Sequence, residues 1–275
     1  MTILWQGLKV TFGFLLIAGL VFASGVFTML LYAKFKGEDA FLFYQNPNMP
    51  LAAVSQTVAP LPVSTSAPTP LPIKKKPESA MIEAPAIMQH PELPAGCEIT
   101  SLAMLLQFAG IEKSKMELAA EMPKDETKAV LHANGSIKYW GNPNVGFVGD
   151  VTRKGMGFGI YHAGLFPLLK SYMPTAVDLT NKSFESYEQH VADGIPIVVW
   201  TTINYKLPTK MVSWETSLGK IETTFSEHAV LLVGYDKNNV YLNDPTNGKK
   251  AFAVNKEQFI QTWEAMGKQG ITYNK

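Results

Sequence analysis

Residues 89–110 read QHPELPAGCEITSLAMLLQFAG, and the two halves of this stretch obey different rules. In the first, Pro91, Pro94 and Gly96 keep the chain extended and turning, because proline fixes φ and glycine permits tight geometry. From Glu98 onward, Ile99, Leu102, Ala103, Leu105, Leu106 and Ala109 recur at helical spacing, and Gly110 supplies the stop. Cys97 therefore stands where a helix begins. Unpaired N–H groups and the helix dipole favour negative charge there, which is one way to depress the pKa of a thiol. It is the single cysteine of the chain, so an intramolecular disulfide and a cysteine-rich zinc site are excluded. A lone cysteine is most often a small core residue; the helix start makes this one a candidate nucleophile.

Outward from this stretch the pattern is that of an α+β domain. Residues 113–120 predict a second amphipathic helix, and 134–164, rich in glycine and aromatics, a long loop region, of which 142–161 could wall a substrate cleft or be a turn-rich surface loop. A short helix over 184–192 ends at Gly194. Residues 196–203 (PIVVWTTI) and 228–235 (HAVLLVGY) are β-branched runs suited to buried strands. A third strand starts at Val240, and the intervening Asp-Lys-Asn-Asn is turn chemistry, which makes a hairpin. A helix over 259–266 turns Trp263 inward. Trp200, Tyr205 and Trp214 read as packing residues. Helices first and a sheet afterwards point to α+β rather than an alternating βαβ order.

A cysteine nucleophile needs a base, and five histidines are available. His190 falls in an amphipathic helix, and His132 and His162 in loop-like stretches with no acid close in sequence. His228 opens a strand whose hairpin mate runs into Asn243, Asp244 and Pro245. The even spacing from His228 to Asp244 lets both side chains face the same way across the hairpin. Asp244 could then accept from the imidazole and fix its tautomer. Glu98, next to the thiol, disfavours the thiolate if it faces the sulfur and supports the helix start if it turns away.

These blocks together resemble the stand-alone relatives of bacteriocin-processing peptidases, the C39-like cysteine peptidases. QHPELPAGCEITSLAMLLQFAG looks like their nucleophile region, and EHAVLLVGYD followed by VYLNDP looks like their histidine and aspartate blocks. GNPNVGFVGD, GIPIVVWTTI and the Trp214-Glu215 pair also fit, so the resemblance runs over 87–273. It implies a papain-like fold, with amino-terminal helices packed on an antiparallel sheet, and hydrolysis of peptide bonds in a peptide or protein substrate. By the same resemblance Cys97 is the nucleophile, His228 the base and Asp244 the orienting acid. Gln89, eight positions before Cys97, matches the glutamine of an oxyanion hole. No cofactor or metal is implied.

Upstream the composition differs. After a short segment, 1–9, residues 10–32 (VTFGFLLIAGLVFASGVFTMLLY) carry no charge; at about 1.5 Å per residue they would span roughly 35 Å, enough to cross a bilayer core. The apolar run continues past the small residues Ala23 and Ser24, which favours an uncleaved anchor over a cleaved signal peptide. Prolines recur through 33–86, a tether leading to a domain over 87–275. The expectation is a single-pass membrane protein with its carboxy-terminal domain outside the cytoplasmic membrane of a bacterium; the alternative is a secreted form. A net charge of +1 offers no field for nucleic acid. No G-x-x-x-x-G-K-[ST] stretch occurs, so no ATP-binding domain of that kind is present. Two other readings stay open, a papain-fold binding module without turnover and a cell-wall peptide hydrolase.

Overall fold

A computed structural model describes residues 76–275. The segments read as anchor, 10–32, and as most of the tether lie outside the described residues. Among the described residues no helix is long and apolar enough to cross a membrane. The first strand, β1 (Ala80–Met81), pairs antiparallel with the strand carrying His228. Ile82 and Ala84 are buried, and Asn243 Nδ2 donates to the carbonyls of Ala84 and Pro85. Residues 80–86, read as tether, thus pack on the sheet; proline cannot donate along a ladder, but two non-proline residues suffice for a bridge.

Helix α1 (Cys97–Phe108) begins at the cysteine itself. Ten of its residues are buried, so it is a core helix rather than an amphipathic surface one. Helix α2 (Lys115–Glu121) opens on a capping box in which Ser114 and Glu117 satisfy each other's backbone N–H groups. Short strands follow, β2 (Lys124–Asp125), β3 (Val130–Leu131), β4 (Ile137–Tyr139) and β5 (Phe147–Val148). The stretch expected as a loop over 134–164 therefore holds two of them. It also ends in helix α3 (His162–Tyr172), whose internal Pro167 and glycine-rich approach hide it from a helical pattern.

After β6 (Ala176–Asp178) and α4 (Phe184–Ala192) comes β7 (Ile197–Thr202), buried at every position. The hairpin β8 (Val212–Thr216) and β9 (Gly219–Thr223) leads into β10 (Glu227–Tyr235), also buried throughout. Then follow β11 (Asn239–Asp244), β12 (Lys249–Asn255), α5 (Lys256–Ala265) and β13 (Gly270–Tyr273). The main sheet runs β12-β11-β10-β7-β13-β6, with β1 pairing β10 off this path, and all its pairs are antiparallel. A second sheet, β3-β4-β8-β9, carries its own core of Trp140, Val148, Phe158 and Trp214.

Continuous apolar runs in β7 and β10 signal strands covered on both faces. Helix α1 is tied to β10 through Ser101 Oγ, which donates to the Ala229 carbonyl at 3.2 Å. Helix α5 is tied to β7 through the Thr201 and Thr262 hydroxyls, 2.8 Å apart. The architecture is thus mixed helix and sheet, with α1 laid against the two central strands. The start of α1 and the start of β10 consequently meet.

Candidate active site

Cys97 reaches its position through a sequence of tight turns. Gly96 N–H donates to the Leu93 carbonyl and Ala95 N–H to that of Val151. A Cβ on Gly96 would lie 2.7 Å from Leu93 Cβ, so the turn closes only on glycine. Glycine also brings no side chain to cap the helix, and the first N–H groups of a helix have no intrahelical acceptor.

His228 is the second residue of β10. Leu231 pairs with Asn243 and Leu232 with Leu242; extending that register puts Asp244 opposite Val230, a diagonal neighbour of His228 on the same face. Its Nε2 lies 2.9 Å from Asp244 Oδ1, and both side chains are buried. Burial alone would raise the Asp244 carboxyl. The hydrogen bond and charge of His228, the Tyr205 hydroxyl and the Thr246 amide outweigh it and hold the group down at about 2. An ionised carboxylate only accepts, so Nε2 carries a proton; in the neutral form of the imidazole Nδ1 then presents its lone pair.

A cavity of about 90 Å³ joins Gln89, Cys97 and His228, with Arg153, Phe158 and Phe225 among its walls. Three of the four residues singled out in the sequence border it, and Asp244 stands behind His228. Gln89 Nε2 donates to the Pro94 carbonyl at 2.8 Å, while its Oε1 is buried without a hydrogen-bond partner. An amide nitrogen carries two protons, so one is left for another acceptor. Gln89 N–H also bonds the Pro245 carbonyl, linking the glutamine loop to the Asp244 turn.

The thiol does not bond His228. Cys97 Sγ donates instead to Glu98 Oε2 at 3.3 Å. Burial pushes the thiol well above its ordinary range, and the charges of Glu98 and Glu227 add to the effect. Of the two orientations open to Glu98, the inward one is found: the residue is fully buried, and its Oε1 accepts from Ile160 N–H at 2.7 Å. Burial lifts its carboxyl to about 7 despite these bonds. Cys97, Glu98 and Glu227 place one sulfur and two carboxylate oxygens within 4.8 Å of one another. Among the described residues they are the group with the spacing to hold a cation, and the nucleophile candidate is one of the three.

Two participants escaped the sequence reading. Tyr205, read as packing, donates its hydroxyl to Asp244 Oδ2 at 2.8 Å; it sits on a turn with φ of 57°, a geometry no local pattern announces. Glu227 immediately precedes His228, and only burial distinguishes it from a surface acid. His162, read as having no acid close in sequence, meets one through the fold: its Nδ1 lies 2.7 Å from Asp178 Oδ2, sixteen positions on.

The comparisons agree with this architecture. The pattern of the Peptidase_C39 like family matches residues 81–271. An uncharacterized Bacillus subtilis protein, YvpB, is 41% identical over 189 residues, covering 68% of this chain and 72% of the relative. A crystal structure of a Bacillus anthracis protein classed as C39-like peptidase superposes with a TM-score of 0.64 at 42% identity, covering 72% of this chain and 98% of that one. With its helix-borne cysteine, strand-borne histidine and matching pattern over most of its length, the chain belongs to the Peptidase_C39 like family.

Proposed function

We propose that this protein is a cysteine peptidase that hydrolyses peptide bonds through Cys97, His228 and Asp244. The observation that carries this reading is the imidazole held by Asp244 through Nε2, with its other nitrogen left for the cavity that also contains Cys97. In this scheme Cys97 first rotates away from Glu98, and His228 Nδ1 takes the thiol proton. The sulfur then attacks the scissile carbonyl carbon. Negative charge gathers on the carbonyl oxygen, next to the Cys97 N–H at the start of α1 and the second proton of Gln89 Nε2. His228 returns the proton to the departing amine, the carbon–nitrogen bond breaks, and water later cleaves the thioester by the same base.

The substrate is a polypeptide in extended form. A groove of about 660 Å³, lined by His132, Ile137, Lys210 and Met211 among others, shares Phe225 with the catalytic cavity and offers room for residues beside the scissile bond. The proposal includes the anchor: residues 10–32 hold the chain in the membrane, and the proline-rich tether carries the domain on the outer side. Resistance of the intact chain to alkaline extraction from membranes, with its domain open to added protease in whole cells, is the expected behaviour. Release by alkali alone would contradict the anchor.

A second reading is favoured by the thiol's bond to Glu98 and its raised pKa: a binding module that keeps the fold without turnover. Alkylation of Cys97 by iodoacetamide, compared with His228→Ala, separates the two. A peptidase loses most of its thiol reactivity near neutral pH when His228 is removed. A thiol indifferent to that change would leave the binding module.

A further inference from the structure

Glu98 and Glu227 are buried carboxyl groups to which hydrolysis by the triad gives no task. In sequence one directly follows the candidate nucleophile and the other directly precedes the candidate base. In space they converge, with their oxygens and Cys97 Sγ mutually within 4.8 Å. Room for them is made by Gly159, where a Cβ would come within 2.2 Å of Glu98 Oε1 and 3.0 Å of Glu227 Oε2. Glu227 Oε1 is buried with no hydrogen-bond partner. The charged and titratable groups facing the pair are Cys97 on α1, His228 on β10, Tyr161 ahead of α3, and Arg153 on the loop after β5. A single guanidinium cannot neutralise two carboxylates and a thiolate. Two carboxyl groups this close and away from water do not both ionise at ordinary pH, so a proton stays between them.

We propose that Glu98 and Glu227 form a proton-sharing pair whose charge sets the pH range in which Cys97 is nucleophilic. This rests on the reading of Cys97 and His228 as nucleophile and base. With the pair neutral, the thiolate–imidazolium state meets no opposing charge. When the pair loses its first proton, a negative charge lies within hydrogen-bond reach of Sγ and repels the thiolate. Burial lifts the Glu98 carboxyl to about 7 and pushes that of Glu227 well above its ordinary range. The site therefore has an alkaline limit that belongs to carboxyl groups and not to the imidazole. Glu98 and Glu227 are positioning residues in this scheme, acting through the sulfur.

The test is the pH profile of iodoacetamide alkylation at Cys97, on the full chain in detergent. The parent is expected to show a step near pH 7 at which the rate falls about tenfold, the equivalent of roughly one unit in the thiol pKa. Glu227→Gln and Glu98→Gln should each displace the step, and the double variant should abolish it. A parent profile without the step, or a double variant that retains it, overturns the proposal. His228→Ala in the same series reports on the peptidase reading separately: if it leaves alkylation unchanged while the double variant removes the step, that reading fails and the pair stands. Should the variants not fold, infrared spectra of the unmutated chain decide. A protonated-carboxylic carbonyl band persisting to about pH 6 and losing part of its intensity as the pH rises through neutrality is expected for a buried pair. A band already gone at about pH 5, as for free carboxylates, contradicts it.

Discussion

At the scale of single residues, the site depends on which nitrogen of His228 carries the proton. Asp244 decides that, and Tyr205 and Thr246 hold Asp244. Replacing Asp244 by Asn permits the opposite tautomer and is expected to lower peptide hydrolysis on the order of a thousandfold or more while leaving the fold intact. Tyr205→Phe removes a donor from a buried carboxylate. Its expected cost is about 1.5–3 kcal/mol of stability, measured by urea unfolding, because hydrogen bonds to charged groups are worth about that much. Cys97, His228 and Asp244 were legible in sequence because each sits at the edge of a strong local pattern: a helix start, a strand start, a hairpin end. Tyr205 and Glu227 were not, since their roles follow from a positive-φ turn and from burial, and neither leaves a periodic trace. Glu98 could be noticed but not oriented; its direction depends on an amide, that of Ile160, sixty-two positions away.

At the scale of elements, α1 is what presents the thiol, and its grip on β10 and β7 is apolar. Leu105 on α1 is fully buried. Leu105→Ala is expected to destabilise the protein by about 2–5 kcal/mol, as buried leucine truncations do, with loss of thiol positioning visible as a changed alkylation rate. Elements with clean periodicity were readable, among them α1, α4, β7 and β10. Helix α3 was not, since Pro167 and its glycine-rich approach mask its pattern. The hairpin β8–β9 also escaped: its five-residue strands, VSWET and GKIET, carry Val212, Trp214 and Ile221 as their apolar positions, a short alternation that suits a sheet with one solvated face. Val212 and Ser213 of that hairpin nevertheless line the groove, and its Trp214 packs on Phe225, their rings 6.4 Å apart and inclined by 30°.

At the scale of the whole molecule, two buried acids bend stability with pH in opposite senses. Asp244 titrates below its ordinary value of 3.8, at about 2. Its contribution is therefore fully present above 3.8 and lost as pH falls through 2. Glu98 titrates above its ordinary value of 4.5, at about 7. Its contribution is fully present below 4.5 and lost as pH rises through 7. Unfolding by urea at a series of pH values should show stability declining between about 4.5 and 7, and Glu98→Gln should lessen that decline, with Glu227, also raised by burial, keeping its own share. A parent whose stability rises across this window would show Glu98 to be ordinary. The proposed hydrolytic function joins the family and fold to the cavity that Cys97 and His228 share. The most direct measurement of that function is digestion of a peptide library by the full chain beside its Cys97→Ala variant, read by mass spectrometry. The account predicts new termini from the parent and none from the variant. An uncut library, or identical products from both, would contradict it.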